Sequence, residues 1–143
     1  MGRKNSPSAN KELNELIAQY ETAKAENRQL YLDGDQLADI ADQYAAGRKF
    51  NEAQEVITYG LHLHPDSTDL LVEQAYLYLD TGKIPLAKKV AESITDDYIT
   101  DVKMLKAELL LNEGQLEAAR STLDTIEDTD ELETIINIIY LYM

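Results

Sequence analysis

Cysteine and tryptophan are absent from this chain of 143 residues, and phenylalanine occurs once. Without cysteine there is no disulfide and no thiolate metal site, and a reducing compartment is permitted but not required. Prolines number three and glycines six, and they fall between long segments of helical period. Nowhere do valine, isoleucine and aromatic residues alternate with polar ones long enough to suggest a half-buried strand, so the chain reads as all helix. Long apolar runs are missing too: none reaches the length that spans a bilayer. Residues 1–10 are polar, carry Arg3 and Lys4, and lack the apolar stretch of a secretory signal. These absences predict a soluble, cytoplasmic protein. A chain of this length removes roughly two-thirds of its unfolded surface from water, enough for one continuous core.

Basic side chains are also scarce, 13 against 27 acidic ones, for a formal net charge of −14. The imbalance is uneven, because residues 31–143 hold eight basic and twenty-three acidic side chains. Such a body repels phosphate backbones and anionic lipid, which excludes nucleic acid and membrane as expected partners. An acidic surface also serves solubility alone, and that reading stands until the charges are seen to cluster.

What is present is internal repetition. Ala41, Ala75 and Ala107 occupy one slot, Ala53, Ala87 and Ala119 a second, and Gly47, Gly82 and Gly114 mark the turn between, with Gly47 one residue early. The spacing is 34 residues and then 32. The first segment runs Leu37, Ile40, Ala41, Tyr44, Phe50, Ala53, Ile57, Gly60, Pro65. The second keeps Leu71, Ala75, Tyr78, Gly82, Ile84, Ala87 and Ala91, and the third Ala107, Leu110, Gly114, Leu116, Ala119 and Leu123. This pattern resembles the tetratricopeptide repeat family, in the form of a bacterial-type scaffold, with small residues where paired helices cross and a proline closing the unit. It departs at Gln74, Lys103 and Lys106, where the family has apolar or aromatic residues. The resemblance implies an antiparallel helix-pair, right-handed superhelical solenoid of about eight helices. Its repeats would span 34–67, 68–99 and 100–131 within 31–143, with a half repeat at 132–143.

Capping chemistry agrees with the helical reading. The spacings Asp33 to Gln36, Asp66 to Asp69 and Asp128 to Glu131 each suit a helix start, and Pro85 suits a first turn, where its missing N–H costs nothing. Leu13, Leu16, Ile17 and Tyr20 recur at helical spacing and predict a helix over 11–30 that packs on and caps the first repeat, preceded by a disordered arm at 1–10. At the other end Ile135, Ile136, Ile138, Ile139, Tyr140, Leu141, Tyr142 and Met143 are apolar on nearly every side. A terminal repeat should present a polar face, so two expectations stand. Either the chain is an N-terminal fragment of a longer array, or Ile135, Ile136, Ile139, Tyr140 and Tyr142 form a self-association surface, giving a homodimer if the chain ends at 143.

Catalytic patterns are lacking. No Gly-rich phosphate loop, activated nucleophile or His-Glu metal cluster occurs, and the acids come without a pocket signature. His62 and His64, two apart on a helix, point to different sides and read as helix C-terminal residues rather than metal ligands. The Asp33-Gly34-Asp35 run reads as a turn and cap, lacking calcium-loop spacing. No enzyme activity, cofactor or metal is expected. Asp35, Asp39 and Asp42, at spacings of four and three, share one helix face opposite Leu37, Ile40, Ala41 and Tyr44.

In the resembled family the first helix of each unit lines a concave, peptide-binding surface. Carried over, this implies a groove of Asp35, Asp39, Asp42, Glu73, Tyr76, Asp80, Met104, Glu108 and Asn112, with Val72, Leu79, Leu105 and Leu111 as apolar neighbours. Tyr76 is the tyrosine most available to a partner. The partner expected is another protein or peptide with basic or apolar side chains. Family members that clamp a carboxylate tail use basic and amide residues where this chain has Ala38, Asp42, Glu73, Asp101 and Leu105, which argues against that ligand here. The leading reading is a non-catalytic interaction scaffold. A structural self-association module and an accessory region of a larger multidomain protein remain open beside it.

Overall fold

The computed structural model describes residues 7–126, with side chains from residue 10 onward. Those residues form seven α-helices and no strand: α1 (Pro7–Ala25), α2 (Gly34–Ala46), α3 (Phe50–Leu63), α4 (Thr68–Asp80), α5 (Ile84–Ser93), α6 (Thr100–Asn112) and α7 (Leu116–Leu123). The apolar surface at Ile135, Ile136, Ile139, Tyr140 and Tyr142, and the half repeat at 132–143, lie outside the described residues. Among the described residues no helix is long and apolar enough to cross a membrane. The chain divides into two compact units, Met1–Leu77 and Tyr78–Met143.

The first unit is built on α2 and α3. Leu37, Ile40, Ala41 and Tyr44 on α2, and Ala53, Val56, Ile57 and Gly60 on α3, repeat the same spacing of three, four and seven and are buried. That spacing lays one apolar stripe along each helix, and the two stripes face one core together with Leu32, Leu70 and Leu77. Gly60 permits a close crossing, since a methyl group there would lie 2.7 Å from Leu70 Cδ1 and 3.4 Å from Leu37 Cδ1. Helix α1 adds Tyr20 to this core, with Leu13, Leu16 and Ile17 packed against it. It starts at Pro7 and ends at Ala25, earlier at both ends than the helical spacing alone suggests.

Both small-residue slots are buried throughout: Ala41, Ala53, Ala75, Ala87, Ala107 and Ala119 are each at most 1% exposed. The turns between them share one geometry. Arg48, Gly82 and Gly114 sit at φ of 60°, 77° and 77°. At each turn that residue's N–H bonds three residues back, to the carbonyls of Ala45, Leu79 and Leu111. The following N–H bonds five back, to Tyr44, Tyr78 and Leu110. This pair of bonds is a left-handed helix C-cap, satisfying carbonyls the helix end would leave open. The next residue, Lys49, Lys83 or Gln115, starts the second helix, and its carbonyl accepts from Ala53, Ala87 or Ala119 respectively. The spacing of the left-handed residues is therefore 34 and 32, matching the alanines. The offset of Gly47 has a physical meaning: its φ is an ordinary −85°, and Arg48 takes the left-handed position instead. The Arg48 guanidinium lies 5.6 Å from the Phe50 ring centre, a cation–π contact that offsets part of that strain.

Side-chain capping is found at the starts of α2 and α4, with one correction. At α2 the Asp33 N–H donates to Gln36 Oε1 at 3.0 Å within a capping box. At α4 the cap is Ser67, not Asp66: Ser67 Oγ accepts the Leu70 N–H at 3.3 Å. Pro85 lies in the first turn of α5. Asp128 and Glu131 lie outside the described residues. Helix α3 stops two residues short of Pro65, which disfavours helical backbone at His64.

In the second unit α6 packs on α5 and α7. It buries Val102, Met104, Leu105, Ala107, Leu109 and Leu111, more than a single stripe. Met104, Ala107 and Leu111 join Ala119, Leu123 and Ile126 in its core. Lys103, at a slot the repeat pattern fills with an aromatic, reaches the carbonyl of Thr125 beyond the end of α7 at 3.1 Å. Gln74, another polar departure, is only 7% exposed. Its amide exchanges two hydrogen bonds with Gln54 of α3, at 2.9 and 3.0 Å.

Two stability predictions follow from these contacts. Gly82→Ala should lower stability by about 1–2 kcal/mol, the cost of a Cβ in left-handed backbone, whereas Gly47→Ala should change it by no more than about 0.5 kcal/mol. Urea denaturation of the two single variants separates them. Gln74→Leu should cost about 1–3 kcal/mol because it strands the Gln54 amide, and Gln54→Leu combined with Gln74→Leu should cost less than the sum of the single changes. A double-mutant cycle measures that difference.

Candidate functional site

The residues assigned from the repeat pattern to a ligand face divide between the two units. In the first, Asp35 is exposed, and Asp39, Asp42, Glu73 and Tyr76 are half-buried. In the second, Asp80 and Asn112 are exposed and Glu108 is half-buried. Asn112 Nδ2 donates to the Glu108 carbonyl at 3.0 Å, an amide turned back on its own helix. Met104 is a correction: it is 6% exposed and part of the core with Leu123 and Ile126. Val72, Leu105 and Leu111, its apolar neighbours in the expected groove, are buried as well. The charged side chains that α2 and α4 carry are all acidic. The two helices carry Asp35, Asp39 and Asp42, and Asp69, Glu73 and Asp80, with no lysine or arginine on either.

Among the described residues no group of three or more histidine, cysteine, aspartate or glutamate side chains could hold a metal ion. His62 is exposed. His64 Nε2–H donates to the Leu32 carbonyl at 2.8 Å, and the ring meets Tyr31 edge-on at 5.4 Å. Its role is to tie the segment before α2 to the end of α3.

A second surface in the first unit has a concave shape. A groove of about 730 Å³ runs between the end of α1, the turn that follows it, and α3. Tyr20, Ala23, Leu30 and Tyr59 supply its apolar part. Lys24, Arg28, Asn51 and Thr58 are exposed along it, and Gln54 is half-buried. The turn is a further left-handed C-cap: Asn27 has φ 52°, and Arg28 N–H bonds to the Ala23 carbonyl at 2.8 Å. Asparagine tolerates that conformation better than most residues do.

Aromatic and polar contacts hold α1 in place beside this groove. The Tyr20 and Tyr59 rings lie 6.3 Å apart and tilted, and the Tyr59 hydroxyl donates to the Leu30 carbonyl at 2.5 Å. The Tyr44 hydroxyl donates to a Glu21 carboxylate oxygen at 2.8 Å, and Lys24 is paired with Glu55. Burial, then the bond to Glu21, raises the Tyr44 hydroxyl pKa above its ordinary value. Burial does the same for Tyr20 in spite of the nearby Lys24 charge. The Glu55 carboxylate raises the Lys24 ammonium in turn.

Repeat alignment directs attention to first helices, so it passes over this groove. Two signals in the sequence mark it: Lys24 and Arg28 are the only lysine or arginine residues between positions 12 and 47, and Asn51, Gln54 and Thr58 recur at three and seven on α3.

Tyrosines whose folded-state pKa is raised stabilise the fold fully below the unfolded value near 10, and that contribution is lost as pH rises through the folded value. The urea midpoint should therefore fall between pH 9 and pH 12, and Tyr44→Phe should flatten the fall. A midpoint that drops equally in both proteins would place the alkaline transition elsewhere. Compared with protein-family models, curated proteins and solved structures, the chain matches none.

Proposed function

We propose that this chain is a non-catalytic protein-binding scaffold of the cytoplasm, a tetratricopeptide-type solenoid whose helix pairs present their first helices to a partner segment. The observation that carries the reading is the threefold repetition of one helix–turn–helix unit. Left-handed caps recur at Arg48, Gly82 and Gly114, with buried alanines in both crossing slots at the same spacing. In repeat proteins, stacked units of this kind present binding surfaces for partner segments.

Charge selects the partner. Helices α2 and α4 carry acids only, lack a basic residue in the last turn, and place Asp80 at the final position of α4, where the helix dipole favours a cation. A partner segment that supplies positive charge complements helices whose charged residues are all acidic. The preferred partner segment is basic, with apolar side chains, and its binding is reversible and salt-dependent.

A fluorescein-labelled peptide of alternating lysine and leucine tests this by anisotropy. The wild-type chain should bind it, more weakly as salt rises, and Asp35→Lys with Glu73→Lys should weaken binding on the order of tenfold while circular dichroism stays unchanged. Equal binding by wild type and the double variant, or no binding by either, would sink the acidic-surface reading.

A further inference from the structure

The groove beside α3 goes beyond the acidic faces of α2 and α4, because its lining carries two cations, Lys24 and Arg28, against one acid, Glu55. Its most informative neighbour is the chain's own segment at 28–33, which has no regular secondary structure. Two alternate carbonyls of that segment are held by side chains of the α3 region: Leu30 by the Tyr59 hydroxyl at 2.5 Å and Leu32 by His64 Nε2–H at 2.8 Å. Non-helical main chain is thus already bound along this side of α3 through side-chain donors. Where segment 28–33 leaves off, the groove continues beside α3 past Thr58 to Asn51. Both of those side chains are exposed and carry donors.

The charges around the groove set it apart from the rest of the unit. Lys24 and Arg28, the only two cations between positions 12 and 47, both line it. Each is held in an ion pair, Lys24 with Glu55 and Arg28 with Glu26, and all four side chains are more than half exposed. Exposed pairs of this kind contribute little stability, so a ligand carboxylate can replace the intramolecular one at small cost. Tyr20, Ala23, Leu30 and Tyr59 offer apolar surface to a side chain that enters between them.

From this geometry we infer that the groove between α1 and α3 docks an extended segment of a partner protein bearing acidic and apolar side chains. Lys24 and Arg28 meet its carboxylates, and Asn51 and Thr58 meet its main chain. The site continues the track that the chain's own segment 28–33 already occupies. Its partner chemistry is the reverse of that favoured by α2 and α4, so one chain holds segments of opposite charge on separate surfaces.

A short fluorescein-labelled peptide of alternating aspartate and leucine is the probe, titrated by anisotropy against the full chain. Wild type should bind it, and Lys24→Gln with Arg28→Gln should weaken binding on the order of tenfold. Thr58→Trp, which fills the groove from an exposed position, should weaken it without any change of charge. Asp35→Lys should leave the acidic probe's affinity no weaker, which separates this site from the acidic face. Circular dichroism melts of each variant confirm that the fold is kept. No binding of the acidic probe by wild type, or binding by the charge-neutralised and groove-filled variants as tight as that of wild type, overturns the inference. So does sedimentation that finds a dimer of this chain abolished by Thr58→Trp, since the groove's occupant would then be a second copy.

Discussion

Close approach of helices is the constraint on which the rest of this structure rests. A helix crossing tight enough to exclude water requires a small side chain at the point of nearest contact, and a leucine beside it to fill the space left over. Gly60 meets this requirement beside Leu37 and Leu70, and small side chains on the paired helices, Ala41 and Ala53 on α2 and α3 and Ala107 and Ala119 on α6 and α7, are buried to 1% exposure or less. Once two helices pair this closely, the connection between them must reverse within about three residues without leaving helix-end carbonyls unsatisfied. The left-handed cap does that, and its recurrence at three turns follows from the same steric demand.

Polar residues in otherwise apolar slots are absorbed by pairing rather than by exposure. Gln74 and Gln54 exchange both amide hydrogen bonds, so neither brings an unsatisfied donor or acceptor into the interior. Lys103 leaves its slot altogether, and its ammonium reaches a carbonyl beyond α7. Helix α1 is secured differently, by tyrosines whose rings pack and whose hydroxyls find acceptors on Glu21 and on the following segment. Each hydroxyl lets an aromatic ring be buried at the margin of the core without an unpaired polar atom.

Charge is the second organising element. The charged side chains of α2 and α4 are all acidic, whereas Lys24 and Arg28 lie at the end of α1 beside the groove and Arg48 and Lys49 at the turn before α3. The two proposed sites differ in the charge of the segment each would favour. Each contact would be tuned by salt, because the charges sit at the surface, where screening is effective.

Much of the fold is legible in the residues because steric rules act locally. The alanine spacing marks the helix pairs, the three-and-four spacing of Leu37, Ile40 and Tyr44 marks the buried side of α2, and Asp33 with Gln36 marks its start. Some features shift by a single residue, as with Ser67 replacing Asp66 and Arg48 replacing Gly47. There two neighbours can satisfy the same local rule, and packing chooses between them. Burial of Met104 was not legible, since α6 is covered on more than one side and its own spacing carries no record of what covers it. The groove beside α1 left only partial signs in the sequence, the isolated cations Lys24 and Arg28 and the polar spacing on α3, because its shape needs α1, the turn at Asn27 and α3 to meet. The sequence by itself determined helix, repeat length and charge, which depend on residues close together in the chain. Which faces stayed open, and which acids and amides came to share a surface, was decided only by tertiary packing, where residues far apart in the chain compete for the same space.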